Sequence, residues 1–373
     1  MIEKIFIKNY KSVKYLELEL GRVNVLIGEN GCGKTNILEA VALASAAAEG
    51  KLDNEFLTNR GIRVSEPVFM RSAFEESDAG KPIEISVSGR GVRFESVLEN
   101  DNKPYSRWKN RMKLGKVSDV LKYLEESKEK GDIQDDDVTP ETFRGFIDKR
   151  INDLNIRGCM IYSPERSEMR ASDKDVPLTP LGTKGQGLLT LLRIYNAENR
   201  EKITQIKKEL GLIDWFEDLD IPEDFSEGSR IRIKDTYLDE RLPFLSHKDV
   251  NEGFLFLLFY ITLFVSQETP SLLAIDNIDA SLNPGLCTEL IRRIRSLAER
   301  HDKQVILTSH NPAVLDGLNL NDTTQRLFVV SRNKVGHTKI REVRKPLTAT
   351  NEEPVKLSEA FLGGMLGGLP KSF

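Results

Sequence analysis

Val23–Ala48 reads VNVLIGENGCGKTNILEAVALASAAA, and this stretch decides the fold. Its first five residues have the apolar, partly β-branched character of a short buried strand. Gly28-Glu29-Asn30-Gly31-Cys32-Gly33-Lys34-Thr35 then fits Gly-x-x-x-x-Gly-Lys-(Ser/Thr) in full, and an Ala-rich helix runs from Asn36 to about Ala48. Strand, glycine loop and helix in that order are what phosphate binding requires. The glycines let the backbone curl so that successive N–H groups point at phosphate oxygens, and the helix N-terminus adds its positive dipole end. Lys34 is expected to reach the β- and γ-phosphates of a nucleoside triphosphate, and the Thr35 hydroxyl to bind Mg²⁺.

Working outward, Ile2–Ile7 and Tyr15–Leu20 read as strands before this one, and Val68–Phe74, Ile83–Ser88 and Val92–Leu98 as an antiparallel sheet after it. From Asp101 to Arg150 the composition shifts to 12 basic and 11 acidic residues, which predicts exposed helices inserted into the fold. Cys159–Tyr162 returns to strand, and Gln186–Leu210 has the pattern of one long amphipathic helix. Thereafter helix Glu252–Val265 precedes strand Leu272–Ile275, and helix Leu286–Ala298 precedes strand Gln304–Thr308; such alternation indicates a parallel sheet.

The chain has 373 residues, 39% of them hydrophobic, enough for a sizeable core and against wholesale disorder. With 54 basic and 58 acidic residues its net charge is −4, so it is not coated with charge for nucleic acid. Cys32, Cys159 and Cys287 lie far apart, which argues against a disulfide framework or thiolate zinc site and suits a reducing, cytoplasmic location. The N-terminus lacks the apolar core of a signal peptide, and the most hydrophobic run, Gly253–Val265, is too short to cross a bilayer, which needs about 20 residues.

Two further pieces carry chemistry. Ser271-Leu272-Leu273-Ala274-Ile275-Asp276 is an apolar strand ending in a carboxylate, where Asp276 can hold Mg²⁺. Val305-Ile306-Leu307-Thr308-Ser309-His310 is another, with a histidine at its tip able to hydrogen-bond a γ-phosphate.

In this order the motifs resemble the ABC-type ATPase head shared by SMC proteins, RecF and OLD-family nucleases. Leu272–Asn283 is similar to the family's Walker B strand and D-loop, His310 to its switch histidine, and IFIKNYKS to its first strand and turn. The resemblance implies an α/β ABC-type P-loop NTPase head with an antiparallel β subdomain, a parallel core sheet flanked by helices, and a helical insertion. Residues 1–98 would hold the Walker A part, 99–158 the charged insertion, and 159–373 the rest of the head. The resemblance also places Lys11 and Ser12 near the nucleotide, Arg60 where some relatives carry an arginine after the first helix, and Glu165 near the Q-loop glutamine. Val250-Asn251-Glu252-Gly253-Phe254 resembles a degenerate signature motif, with Asn251 in place of the serine; in the family this motif caps the γ-phosphate of a second subunit, so that ATP joins two heads into a dimer. Asn251 is equally suited to cap the helix that follows.

One departure stands out. The family usually carries Glu directly after the Walker B Asp, and this chain has Asn277. An amide orients water but accepts no proton. Either hydrolysis is slow, with Asp279 or His310 assisting, or ATP is held rather than consumed; Asn283 also replaces a usual D-loop Asp. Lys103, Arg107, Lys109, Arg111, Lys113 and Lys116, interleaved with Tyr105 and Trp108, make 103–116 a candidate nucleic-acid surface or a plain solvated face. About 60 residues follow His310, too few for the Toprim nuclease of OLD proteins, and no heptad run marks an SMC arm. The resemblance therefore implies a stand-alone ATPase serving as sensor or scaffold for a separately encoded effector in bacterial anti-phage defence. A RecF-like repair ATPase and a non-hydrolysing, ATP-locked interaction module are the alternatives.

Overall fold

Lys4–Tyr10 (β1) and Val13–Glu19 (β2) form an antiparallel pair across a turn at Lys11–Ser12, with Ile5 opposite Leu18 and Ile7 opposite Leu16. In this computed structural model the described residues are 1–75, 78–103, 106–114, 140–170, 181–222, 230–239, 241, 244–344 and 355–368. The chain divides into two units: Met1–Gly21, Asn30–Cys159 and Val330–Arg341, and then Arg22–Glu29, Met160–Val329 and Glu342–Phe373.

In the first unit, Ile83–Gly89 (β4), Val92–Glu99 (β5) and Lys109–Leu114 (β6) extend the pair into a five-stranded antiparallel sheet, ordered β2-β1-β4-β5-β6. Alternation buries one face through Ile5, Ile7, Leu16, Leu18, Ile85, Val87, Phe94 and Leu98. Against it packs Lys34–Ala48 (α1), buried from Ile37 to Ala48. Small alanines let the helix approach the sheet closely, and α1 needs no amphipathic stripe because it is covered all round. Asn54–Asn59 (α2) follows, capped by the Asp53 side chain, which accepts the Phe56 N–H at 2.9 Å.

Two expectations are corrected in this unit. Val68–Phe74 is not a strand: Pro67 opens a short helix, Pro67–Met70 (α3). Its fixed φ suits a first helical turn. Lys109–Leu114, expected in a helix, is the sheet-edge strand β6, whose side chains alternate between charged and uncharged. Asn110 on its inner face donates to Ala47 O and Lys109, Arg111 and Lys113 share the other face. The helical expectation holds at Pro140–Leu154 (α4). The acidic tract 135–137 lies outside the described residues.

A six-stranded sheet is ordered β14-β13-β3-β12-β11-β7, from Thr338–Val343 (β14), Gln325–Arg332 (β13), Val23–Ile27 (β3), Gln304–Ser309 (β12), Leu272–Ile275 (β11) and Ile161–Tyr162 (β7); β3, β12, β11, β7 and most of β13 belong to the second unit, and most of β14 to the first. β13, β3, β12, β11 and β7 run parallel, with Ser309 registered to Ile27 and Leu307 to Ile275. This register decides the site, because the C-terminal tips of β3, β12 and β11 come to one edge. The helices of the second unit are Arg166–Arg170 (α5), Leu188–Glu198 (α6), Arg200–Leu210 (α7), Glu252–Val265 (α8), Pro284–Arg300 (α9) and Leu357–Leu362 (α10). The long helix expected over Gln186–Leu210 breaks at Asn199, which leaves helical geometry and caps α7. A three-stranded antiparallel sheet, Phe216–Asp220 (β8), Arg232–Asp235 (β9) and Phe244–Ser246 (β10), was not foreseen. α8 is buried at every position from Phe254 to Val265, as its unbroken apolar run requires. No helix among the described residues is long and apolar enough to cross a membrane.

Candidate functional site

The glycine loop leaves the tip of β3 at Gly28-Glu29 and continues in the first unit as Asn30–Thr35. Gly31 and Gly33 both take left-handed backbone angles, φ +74° and +104°. Nothing stands within 4 Å of where a Gly31 Cβ would be, whereas a Cβ on Gly33 would collide with the Thr338 hydroxyl and come within 2.7 Å of Ser12 Oγ. Gly33→Ala therefore meets both a backbone penalty and a clash. It is expected to cost about 1–3 kcal/mol and to abolish nucleotide-dependent stabilisation, read as a lowered Tm that no longer responds to Mg·ATP. Lys34, the first residue of α1, is buried, with its ammonium 3.9 Å from Cys32 Sγ.

Around α1 lies a polar lattice that the sequence did not announce. Glu39 is fully buried and accepts from Lys11 Nζ at 2.6 Å, from Arg63 Nε at 2.8 Å and from the Arg63 backbone N–H at 3.0 Å. Lys11 Nζ also donates to Arg63 O, so the Lys11 ammonium is committed to this cluster. Burial lowers its pKa and Glu39 works against that. Asn36 Nδ2 donates to Ser12 Oγ at 2.6 Å, and Arg63, whose side chain is largely exposed, donates to Asn36 Oδ1 at 3.0 Å. Arg60 is buried instead. It donates to Cys159 O, Ser45 Oγ and Glu49, and lies over the Phe56 ring. Arg60 is thus a strut between α1, α2 and Cys159, and Arg63 is the solvent-facing arginine beside the loop.

In the second unit the strand tips carry the carboxylates. Thr308 donates to Asp276 Oδ1 at 2.5 Å and accepts the Asn277 N–H at 2.9 Å, so one hydroxyl on β12 fixes the end of β11. Asn277 has φ +54°, a region that Asn tolerates better than most residues. Asp279 Oδ1 accepts the His310 backbone N–H at 3.2 Å, tying the segment after β11 to the tip of β12. Tyr260, fully buried on α8, is held neutral: burial raises its phenol well above the ordinary value, and Asp279, Cys287 and Asp276 add to the shift.

Asn251 accepts the Phe254 N–H at 2.8 Å and so does cap α8. A Cβ on Gly253 would stand 2.9 Å from Ser281 O, so this glycine lets α8 begin flush against the segment after Asp276. Asn283 caps α9 by accepting the Leu286 N–H, which supplies a physical reason for Asn at that position. Glu165 pairs with Lys184 at 3.0 Å on the exposed surface. In the run 103–116, Arg111 pairs with Glu99 and Lys103 with Asp101, while Trp108 packs on the buried Arg71 guanidinium. These partners weaken the nucleic-acid reading; Tyr105 and Lys116 lie outside the described residues.

The residues fit a nucleotide with Mg²⁺. The loop is held in the left-handed geometry that turns backbone N–H groups toward an anion, with open space at Gly31. Thr35 in the first unit and Asp276 in the second each carry a hard oxygen donor of the kind that Mg²⁺ prefers.

Comparison with known proteins agrees. A structure of an SMC head bound to the C-winged helix domain of ScpA matches with TM-score 0.57 at 17% identity, covering 92% of this chain and 98% of that one. The SMC head domain from Thermotoga maritima matches with TM-score 0.50 at 14% identity, over 92% and 99% of the two chains. Among curated proteins, the uncharacterized protein MJECL10 of Methanocaldococcus jannaschii is 34% identical over 113 residues, 28% of this chain and 50% of the relative. The DNA replication and repair protein RecF of Phocaeicola vulgatus is 33% identical over 110 residues, 29% of this chain and 28% of the relative. The chain thus spans half the length of the first of these and less than a third of the second. A family model described as "AAA domain, putative AbiEii toxin, Type IV TA system" matches residues 23–316, more than three quarters of the chain. The chain belongs to that AAA-domain family, and its fold is that of an SMC head.

Proposed function

We propose that this chain is an ATP-switched head that pairs with a second copy of itself and controls a separately encoded effector, a nuclease or toxin, in bacterial anti-phage defence within the cytoplasm. The observation that carries the ATP switch is the shared edge of β3, β12 and β11, which presents the start of the glycine loop, His310 and Asp276 together. Parallel α/β sheets bind ligands at that edge. In this reading Gly28–Thr35 cradle the phosphates, and the Lys11–Ser12 turn supports the loop from behind. Thr35 and Asp276 hold Mg²⁺, which neutralises phosphate charge when bound. Asn251 and Gly253 face the γ-phosphate of the partner head. Residues 99–158 are an insertion between the head's two parts, 1–98 and 159–373. The family description, which names a toxin of a type IV toxin–antitoxin system, supports an effector-linked role.

Asn277 favours a second reading, an ATP-locked module that hydrolyses slowly or not at all. It orients the attacking water, while Asp279 and His310 are the groups able to take its proton. Steady-state turnover against a Lys34→Ala blank separates the two: turnover above the blank supports a cycling ATPase, and tight binding without turnover supports a clamp. A rate that rises strongly with DNA would favour a RecF-like repair role over effector control.

A further inference from the structure

We infer that Thr338, three hundred residues from the glycine loop in sequence, is a positioning residue that sets the direction of one phosphate-facing N–H. This inference rests on the ATP-binding reading above. Thr338 is the first residue of β14, is 1% exposed, and has a hydroxyl that donates to Cys32 O at 2.9 Å. With its single proton used there, Thr338 Oγ1 accepts from Ser12 Oγ at 2.6 Å, and Ser12 Oγ in turn accepts from Asn36 Nδ2 at 2.6 Å. The protons therefore run one way, from Asn36 through Ser12 and Thr338 to the Cys32 carbonyl, and such chains reinforce themselves. A backbone bond from Thr338 N–H to Ser12 O at 2.8 Å closes the ring.

The peptide between Cys32 and Gly33 is planar and trans, so its C=O and N–H point in opposite directions. Holding the Cys32 carbonyl toward Thr338 thus aims the Gly33 N–H away from β14, to the opposite side of the loop. That is the donor a phosphate needs at this position of the cradle. Without the hydroxyl, the buried Cys32 carbonyl loses the Thr338 donor, and the direction of the Gly33 N–H is no longer set from β14. The Gly33 geometry fits the same device, since only a residue without Cβ leaves room for Thr338 to stand so close.

The test is Thr338→Val, which keeps the shape and removes the donor, with Thr338→Ser as the conservative rescue. Cys32 is 1% exposed, and it reports on the loop without any nucleotide. Cys159 and Cys287 serve as internal controls, because burial pushes their thiols up to about 12 and about 11. In Thr338→Val, labelling of Cys32 by N-ethylmaleimide, located by peptide mass spectrometry, is expected to rise about tenfold while the other two stay unchanged. The Kd for Mg·ATP is expected to rise about tenfold, the size of one buried hydrogen bond. Thr338→Ser restores both. Wild-type labelling in Thr338→Val overturns the inference, and so does a rise at all three cysteines, which reports general loosening. Should Thr338→Val not fold, Thr338→Ala removes the same donor and carries the same expectations. A protein that shows the Cys32 pattern yet never binds Mg·ATP would retain the lock and remove the ATP reading.

Discussion

Lys34→Ala is expected to abolish nucleotide-dependent behaviour while leaving the fold intact. Lys34 is buried at the start of α1, so the apo Tm of the variant is read alongside its response to nucleotide. With a triphosphate in place, charge-assisted hydrogen bonds contribute about 1.5–3 kcal/mol. Affinity for Mg·ATP should fall by about 10- to 150-fold on that basis. A ligand at one hundred times its Kd stabilises a protein by about 2.7 kcal/mol. The wild type should therefore show a clear ATP-induced rise in Tm, and the variant almost none at the same concentration. An unchanged apo Tm with a lost shift identifies Lys34 as a ligand to phosphate; an equal shift in both proteins would remove it from that role.

Asn277→Glu is the second large effect, and it acts in the opposite direction. A positioned general base contributes about 10²–10⁴ in rate, and the amide at 277 supplies none. Placing a carboxylate there is expected to raise kcat by at least about tenfold. The backbone works against the change, because Asn277 sits at φ +54° and Glu is less at ease there, at a cost of about 1 kcal/mol read as a lowered Tm. Asn277→Asp keeps the short side chain that suits this geometry, and should gain less rate while losing less stability. A turnover that fails to rise in either variant would mean that Asp279 or His310 already takes the proton, or that chemistry is not the slow step.

Contiguous chemistry was legible and through-space chemistry was not. The turn geometry of the glycine loop was legible because its glycines are adjacent in the chain, and Gly31 and Gly33 do take left-handed angles. Asp276 and His310 could be read because each ends an apolar strand, and the register of β11, β12 and β3 brings those ends to one edge. Thr308 was hidden inside its strand, since nothing local says that its hydroxyl grips Asp276. Glu39 looked like an ordinary helix residue, and only the fold shows it fully buried under Lys11 and Arg63. Nothing local says that Arg60 is buried against Cys159 and Ser45, whereas Arg63, three residues later, faces solvent. For β6 a signal was present, because Lys109-Asn110-Arg111-Met112-Lys113-Leu114 alternates with period two; charge density outweighed it. Pro67 likewise marked a helix start where a strand had been expected.

ATP-dependent pairing of two heads is measured directly by light scattering after size exclusion. Wild type with Mg·ATP is expected to show twice the mass that it shows with ADP, and Lys34→Ala the smaller mass in both. A wild-type protein that binds Mg·ATP yet keeps one mass in every nucleotide state would rule out ATP-dependent pairing.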